Sequence, residues 1–198
     1  MTKPVVVGIG ELLWDMLPEG KRAGGAPINF VYNATRLGAE GYAISAIGKD
    51  DLGDEIIKEL EKNHIHHVLE RNEHPTSIVE IVLSNGIPSY TIVENVAWDY
   101  LNATAQEIAI VKKADAVCFG TLALRSPQTH QAIFTLLKNT KPEAFKLFDV
   151  NLRGNYFSKK LIDELLIEAN VFKINDEEMV QVQKLFGLNL SDEDVCHW

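Results

Sequence analysis

At 198 residues the chain can build one substantial core, or a domain with an appendage, and its 46% hydrophobic and 24% charged content is that of an ordinary globular protein. A net charge of -9 argues against generic nucleic-acid binding and against docking on an anionic membrane, and any anionic ligand would need local donors. Two cysteines, Cys118 and Cys196, make no disulfide framework, and the apolar run in "MTKPVVVGIG" is too short for a signal peptide or a membrane span, so a cytoplasmic protein is expected.

"PVVVGIG" is a near-continuous β-branched run closed by glycine, the pattern of a buried parallel strand. "LLWDMLPEG" reads as a short strand and turn. Residues 27–37 carry Ile28, Val31, Tyr32 and Leu37 at helical spacing, with Gly38 as the stop. "GYAISAIG" predicts a second buried strand and Asp51 to Glu61 a second helix, with acids in its first turn and Lys62 just past its end. "NHIHH" at 63–67 invites a zinc reading. Its histidines, His64, His66 and His67, lack an i, i+4 partner and a nearby cysteine, so a polar surface loop is the better reading. "TSIVEIVLSNGIPSYTIVEN" alternates around Asn85-Gly86, a hairpin signal. Trp98 and Tyr100 read as packing residues. "ADAVCFG" is a strand with Cys118 as a buried thiol, and "SPQTHQAIFTLLKN" a helix with Ser126 as N-cap and Pro127 at its first position. "AFKLFDVN", "SKKLIDELLIEAN", "VFKIN" and "DEEMVQVQKLFG" continue as strand, helix, strand, helix. Repeated βα units predict an open α/β sheet with helices on both faces, and the two segments that break the rhythm predict a small β appendage.

Ligands of open α/β sheets bind outside the carboxyl ends of the strands. The stretches at those ends are "GIGELLWD", "AGGAPIN", "FDVNLRGN" and "KINDEE". Asp15 offers a carboxylate to polyol hydroxyls. Gly24 and Gly25 allow close backbone approach ahead of a helix whose first amides point outward. Asn29 adds a donor and an acceptor. Asn151 and Arg153 follow a strand directly, and arginine suits a phosphate. Asn175 and Glu178 follow another, where Glu178 could hold Mg²⁺ through water. Each has a structural rival when taken singly. Gly24-Gly25 is a tight turn, Asp15 a solvated turn residue, and "NDEE" an N-cap with acids complementing a helix dipole. "GIG" lacks the third glycine of a dinucleotide fingerprint, since Leu13 stands there, which leaves an NAD-dependent oxidoreductase a distant third reading. The order and placement of four such sites on successive strand ends favour a hydroxylated substrate beside a phosphate and a metal.

The chain resembles the N-terminal part of a ribokinase-family sugar kinase, most of all the fructokinases. "GELLWDMLP" is similar to their opening segment, "AGGAPINFVYNATRLG" with "AISAIGKDDLGDEI" to their first signature, "FDVNLR" to a strand-end motif, and "NDEE" to an Asn-x-x-Glu motif. The resemblance implies a three-layer αβα fold with an open, mostly parallel sheet and a small β lid from segments 12–22 and 76–96. It implies ATP and Mg²⁺ as cofactors and a sugar, fructose first, as substrate. It implies sugar contacts at Asp15, Gly24, Gly25 and Asn29, and phosphate and Mg²⁺ roles at Asn175 and Glu178, with Glu178 on the metal; Asn151, in the strand-end motif, is a cofactor-binding candidate, and Arg153 beside it a phosphate contact by its own chemistry. A homodimer through the lid is also implied.

Two departures accompany it. The family's glycine-rich Gly-Ala-Gly-Asp signature, whose aspartate is the general base and whose amides form the anion hole, is absent from these residues. Asp149 and Asp176 carry no mark of the base role. The expectation is therefore a fragment inactive by itself, with "VFKIN" an unprotected sheet edge prone to self-association; the rival is a non-catalytic sugar-binding module. In addition, "VENVAWDYL" puts Glu94 and Asn95 where many relatives have a basic residue near the sugar, which leaves sugar selectivity open.

Overall fold

In a computed structural model that describes residues 2–84 and 87–195, Val5–Ile9 forms strand β1 near the middle of a six-stranded parallel sheet. Its neighbours are β4 (Glu40–Gly48) and β8 (Ala116–Gly120); β5 (His66–Asn72) closes one edge, and β9 (Phe145–Asp149) leads to β10 (Val171–Lys173) at the other. Side chains alternate between faces along a strand, so Val6 and Val7 enter different cores. Val6, Ala43 and Ile47 pack with α1 (Ala26–Arg36) and α2 (Asp51–Lys62). Val7, Ile44, Val117 and Phe148 pack with α4 (Pro127–Lys138) and α5 (Lys159–Glu168) on the other face. This is the three-layer αβα architecture that the βα alternation requires, since a parallel sheet must be covered on both faces.

A second, four-stranded sheet runs in the order β3-β2-β6-β7. Strands β2 (Leu13–Leu17) and β3 (Gly20–Gly24) form one hairpin, and β6 (Ser77–Ser84) pairs antiparallel with β7 (Ile87–Ile92). Asn85 and Gly86, where the sequence predicts the turn, lie outside the described residues, as does Cys196. Because β2 follows β1 after only Gly10, Glu11 and Leu12, this sheet stands over the carboxyl ends of the parallel strands.

Two readings need correction. His66 and His67 belong to β5 and not to a loop: they pair with Tyr42 and Ala43 of β4, and the edge position tolerates their polarity. His64 alone sits in the connecting turn, at φ 57. Ser126 is the N-cap residue of α4, but its hydroxyl donates to the Asp99 carbonyl rather than to the helix. Lys62 ends α2 rather than following it. The polar strand β3 and the short helix α3 (Ala105–Val111), capped by Glu107 accepting Thr104 N–H at 2.6 Å, were not anticipated. Trp98 is fully buried and Cys118 is a buried free thiol whose pKa burial pushes upward. Helix α6 (Asp176–Phe186) ends on Gly187, and α7 (Asp192–Val195) follows. Among the described residues no helix is long and apolar enough to cross a membrane.

Candidate active site

A cavity of about 560 Å³ lies where the second sheet faces the ends of the parallel strands. Asp15 of β2 and Ile92 of β7 contribute from above, Gly25 and Asn29 from the start of α1, and Asn151 with Arg153 from the loop after β9. Five of the eight residues singled out in the sequence thus line one space. Gly24 lies beside it: a Cβ there would come to 2.5 Å from Asp15 Oδ2, so a side chain at this position would displace the carboxylate. Gly25, at φ 116, is the N-cap of α1 and packs on the Glu11 carbonyl, where any side chain would collide. Its own carbonyl accepts Asn29 N–H at 2.9 Å, which sets the first turn of the helix and the position of Asn29.

Burial raises the pKa of Asp15, while its cross-strand neighbour Arg22, and Arg153, pull it back. The more perturbed acid is Glu11, which the sequence reading quoted but passed over. It is 1% exposed, and its pKa is pushed up to about 7, chiefly by burial, with Asp149 adding and the Ala26 amide and Arg153 opposing. Oε1 accepts Ala26 N–H at 3.1 Å; Oε2 is buried and has no partner among the described residues. The signal was available: an acid directly after "GIG", at the end of a buried strand, seldom remains in solvent.

Asn175 and Glu178 do not line the cavity. They form a capping box at the start of α6: Asn175 Oδ1 accepts Glu178 N–H at 2.9 Å, and Glu178 Oε2 accepts Asn175 N–H at 3.1 Å. The other Glu178 oxygen accepts Leu152 N–H at 3.2 Å, so this buried carboxylate tethers the loop that presents Asn151 and Arg153. Asn151 holds φ 38, a conformation asparagine tolerates better than most residues. Arg153 is exposed and donates to its neighbour's carbonyl at 2.8 Å. Asp149 takes the Lys173 ammonium on both oxygens at 2.9 Å, a pair invisible in the sequence because β9 and β10 meet only in the fold.

A second cleft adjoins, lined by Glu94, Asn95, Arg125 and Tyr156. Arg125 makes a paired contact with Asp99 at 2.8 Å and lies between Trp98 and Tyr156 at 4.1 and 4.9 Å from their ring centres. Tyr156 donates its hydroxyl to Glu94 at 2.7 Å, so Glu94 is engaged outside the main cavity.

The sequence pattern of the pfkB family carbohydrate kinases matches residues 19–196. The chain belongs to that family. A putative sugar kinase, PH1459 of Pyrococcus horikoshii, is 30% identical over 200 residues, spanning 90% of this chain and 64% of that protein. The fructokinase of Salmonella typhimurium is 24% identical, spanning 87% and 60%. The crystal structure of PH1459 superposes with a TM-score of 0.78 at 28% identity, covering 93% of this chain and 67% of that one. Fructokinase of Xylella fastidiosa with bound ATP reaches 0.82 at 19% identity, over 95% and 63%, a likeness of fold. This pfkB-family chain therefore spans less than two thirds of the length of the curated relatives named.

Kinases of nucleotides and sugars use Mg²⁺ to offset phosphate charge. Among the described residues no group of three or more His, Cys, Asp and Glu could form a cage for a metal. Glu178, with one amide on each oxygen and lone pairs remaining, fits a magnesium ion held mainly by phosphates and water.

Proposed function

We propose that this pfkB-family domain binds a sugar, fructose first, in the cavity between its two sheets and serves ATP-dependent transfer of a phosphoryl group to a sugar hydroxyl. The observation that carries the reading is the convergence of Asp15, Gly25, Asn29, Asn151 and Arg153 on one space. Asp15 accepts hydrogen bonds from sugar hydroxyls, and Asn29 orients the ring. The glycines let backbone approach it. On the other wall Arg153 contacts the transferred phosphate and Asn151 donates to its oxygens; Asn175, outside the cavity lining, meets phosphate from the start of α6. Glu178 holds the ion through water, which would supply charge neutralisation at the phosphates. The family's catalysis would rest on positioning and charge stabilisation. The second sheet is read as a lid and as the surface for a homodimer. None of the cavity residues is assigned the role of general base. Because no Gly-Ala-Gly-Asp stretch occurs in these 198 residues, the second reading for the chain by itself is a sugar-binding module without catalysis.

Steady-state ADP release by the full-length gene product, with fructose varied, tests this. Asp15→Ala is expected to lower kcat/KM for fructose about ten- to a hundredfold, the cost of a lost charge-assisted hydrogen bond, with KM for ATP unchanged. A variant with wild-type fructose dependence removes Asp15 from the site.

A further inference from the structure

Glu11 is the acid in the cavity wall that the sugar reading leaves without a role. It sits between β1 and β2, and α1 begins on its side chain through the Ala26 amide. That amide belongs to the turn in which Gly25 both caps α1 and accepts from Asn29 N–H. Holding Ala26 therefore holds Gly25 and Asn29 together. The second oxygen, Oε2, is buried and unpartnered among the described residues, so the side chain is anchored at one end only.

The charged and titratable groups around it come from several elements. Asp149 at the end of β9 acts to keep its proton on and Arg153 to take it off. Lys173 of β10 neutralises Asp149. Cys118 on β8 senses the Glu11 charge, and Asp15 on β2 lines the same cavity. Burial dominates, so the carboxyl changes state near neutral pH, at about 7.

We propose that Glu11 is a positioning residue of the sugar site, whose ionised carboxylate pins the Ala26 amide and thereby the Gly25 turn in the shape that receives the sugar. A hydrogen bond to a charged acceptor is roughly twice as strong as one to a neutral acceptor. A negative charge at the N-terminus of the eleven-residue α1 also complements its dipole. Protonation keeps the contact and removes both advantages. Sugar affinity then rises with pH through the neutral range. The inference rests on the reading of this cavity as a sugar site.

Glutamine is the neutral isostere: its oxygen can still accept from Ala26, without charge. Calorimetric titration of the full-length protein with fructose, from about pH 6 to about pH 8, is the test. Wild-type affinity is expected to rise about three- to tenfold across that interval. Glu11→Gln is expected to bind at the weaker, acid-side level at every pH. Hydrogen exchange at Ala26 and Asn29 in the unliganded wild type provides a second readout. Exchange, corrected for its intrinsic pH dependence, should slow as pH rises. A pH-independent wild-type affinity, or a Gln variant that keeps the wild-type slope, overturns the role. If fructose binds at no pH, the sugar reading of the cavity fails, and the exchange measurement still decides whether the Glu11 charge holds the turn: no pH dependence there overturns it.

Discussion

Asp15 and Glu11 stand four residues apart, and burial raises the pKa of both, yet only one of them can be recognised from its sequence neighbours. Asp15 occurs in a stretch that resembles a sugar-binding segment; Glu11 shows itself only once Ala26 is folded against it. Glu11 also has a consequence for stability. The folded chain keeps its proton up to about pH 7, whereas an unfolded chain releases it near 4.5. Between those values the native state binds more protons than the unfolded one, so stability falls as pH rises through that window. The full effect is on the order of 3 kcal/mol. Thermal melts across the window should show the decline in wild type and a shallower one in Glu11→Gln. Identical slopes would mean that the carboxyl titrates at its ordinary value.

Helices α1 and α6 show what an element's first turn contributes. The first turn of α1 has a glycine cap at positive φ and no side-chain cap, and its amides are bound by Glu11 and by Gly25. The first turn of α6 has a complete capping box. The "NDEE" pattern was read both as a helix start and as a metal and phosphate site, and the structure contains the helix start in full. Glu178 also reaches back to Leu152, which ties this helix start to the loop carrying Asn151 and Arg153. Asn175→Ala should destabilise the fold by about 1 kcal/mol, the usual cost of a lost N-cap. Glu178→Ala should in addition speed hydrogen exchange at Leu152. Unchanged exchange there would show that the loop around Asn151 is held by other contacts.

Over the whole molecule, the βα rhythm made the parallel sheet and its two covering layers legible, because strands buried on both faces read as apolar runs and the helices as amphipathic ones. What stayed illegible was polar or lacked periodicity: β3 is "GKRAG", and β5 begins with two histidines. Edge strands bury little, so their sequences carry little pattern. The ion pair of Asp149 with Lys173 and the paired contact of Arg125 with Asp99 were hidden for another reason, since long-range partners leave no local spacing. At the far edge of the sheet β10 pairs, among the described residues, only with β9, and Phe172 is incompletely covered. Residues 1–198 expressed alone should therefore self-associate through that edge, with an elution volume in size-exclusion chromatography that depends on concentration. A monomer at all concentrations would show that the edge is protected.

The cavity between the strand ends and the second sheet is the proposed seat of the sugar. A crystal structure of the full-length protein soaked with fructose tests it most directly. The sugar is expected in that cavity, with hydroxyls within hydrogen-bonding distance of Asp15 and Asn29. Fructose bound instead in the neighbouring cleft of Arg125 and Tyr156, or elsewhere with the cavity empty, would contradict it.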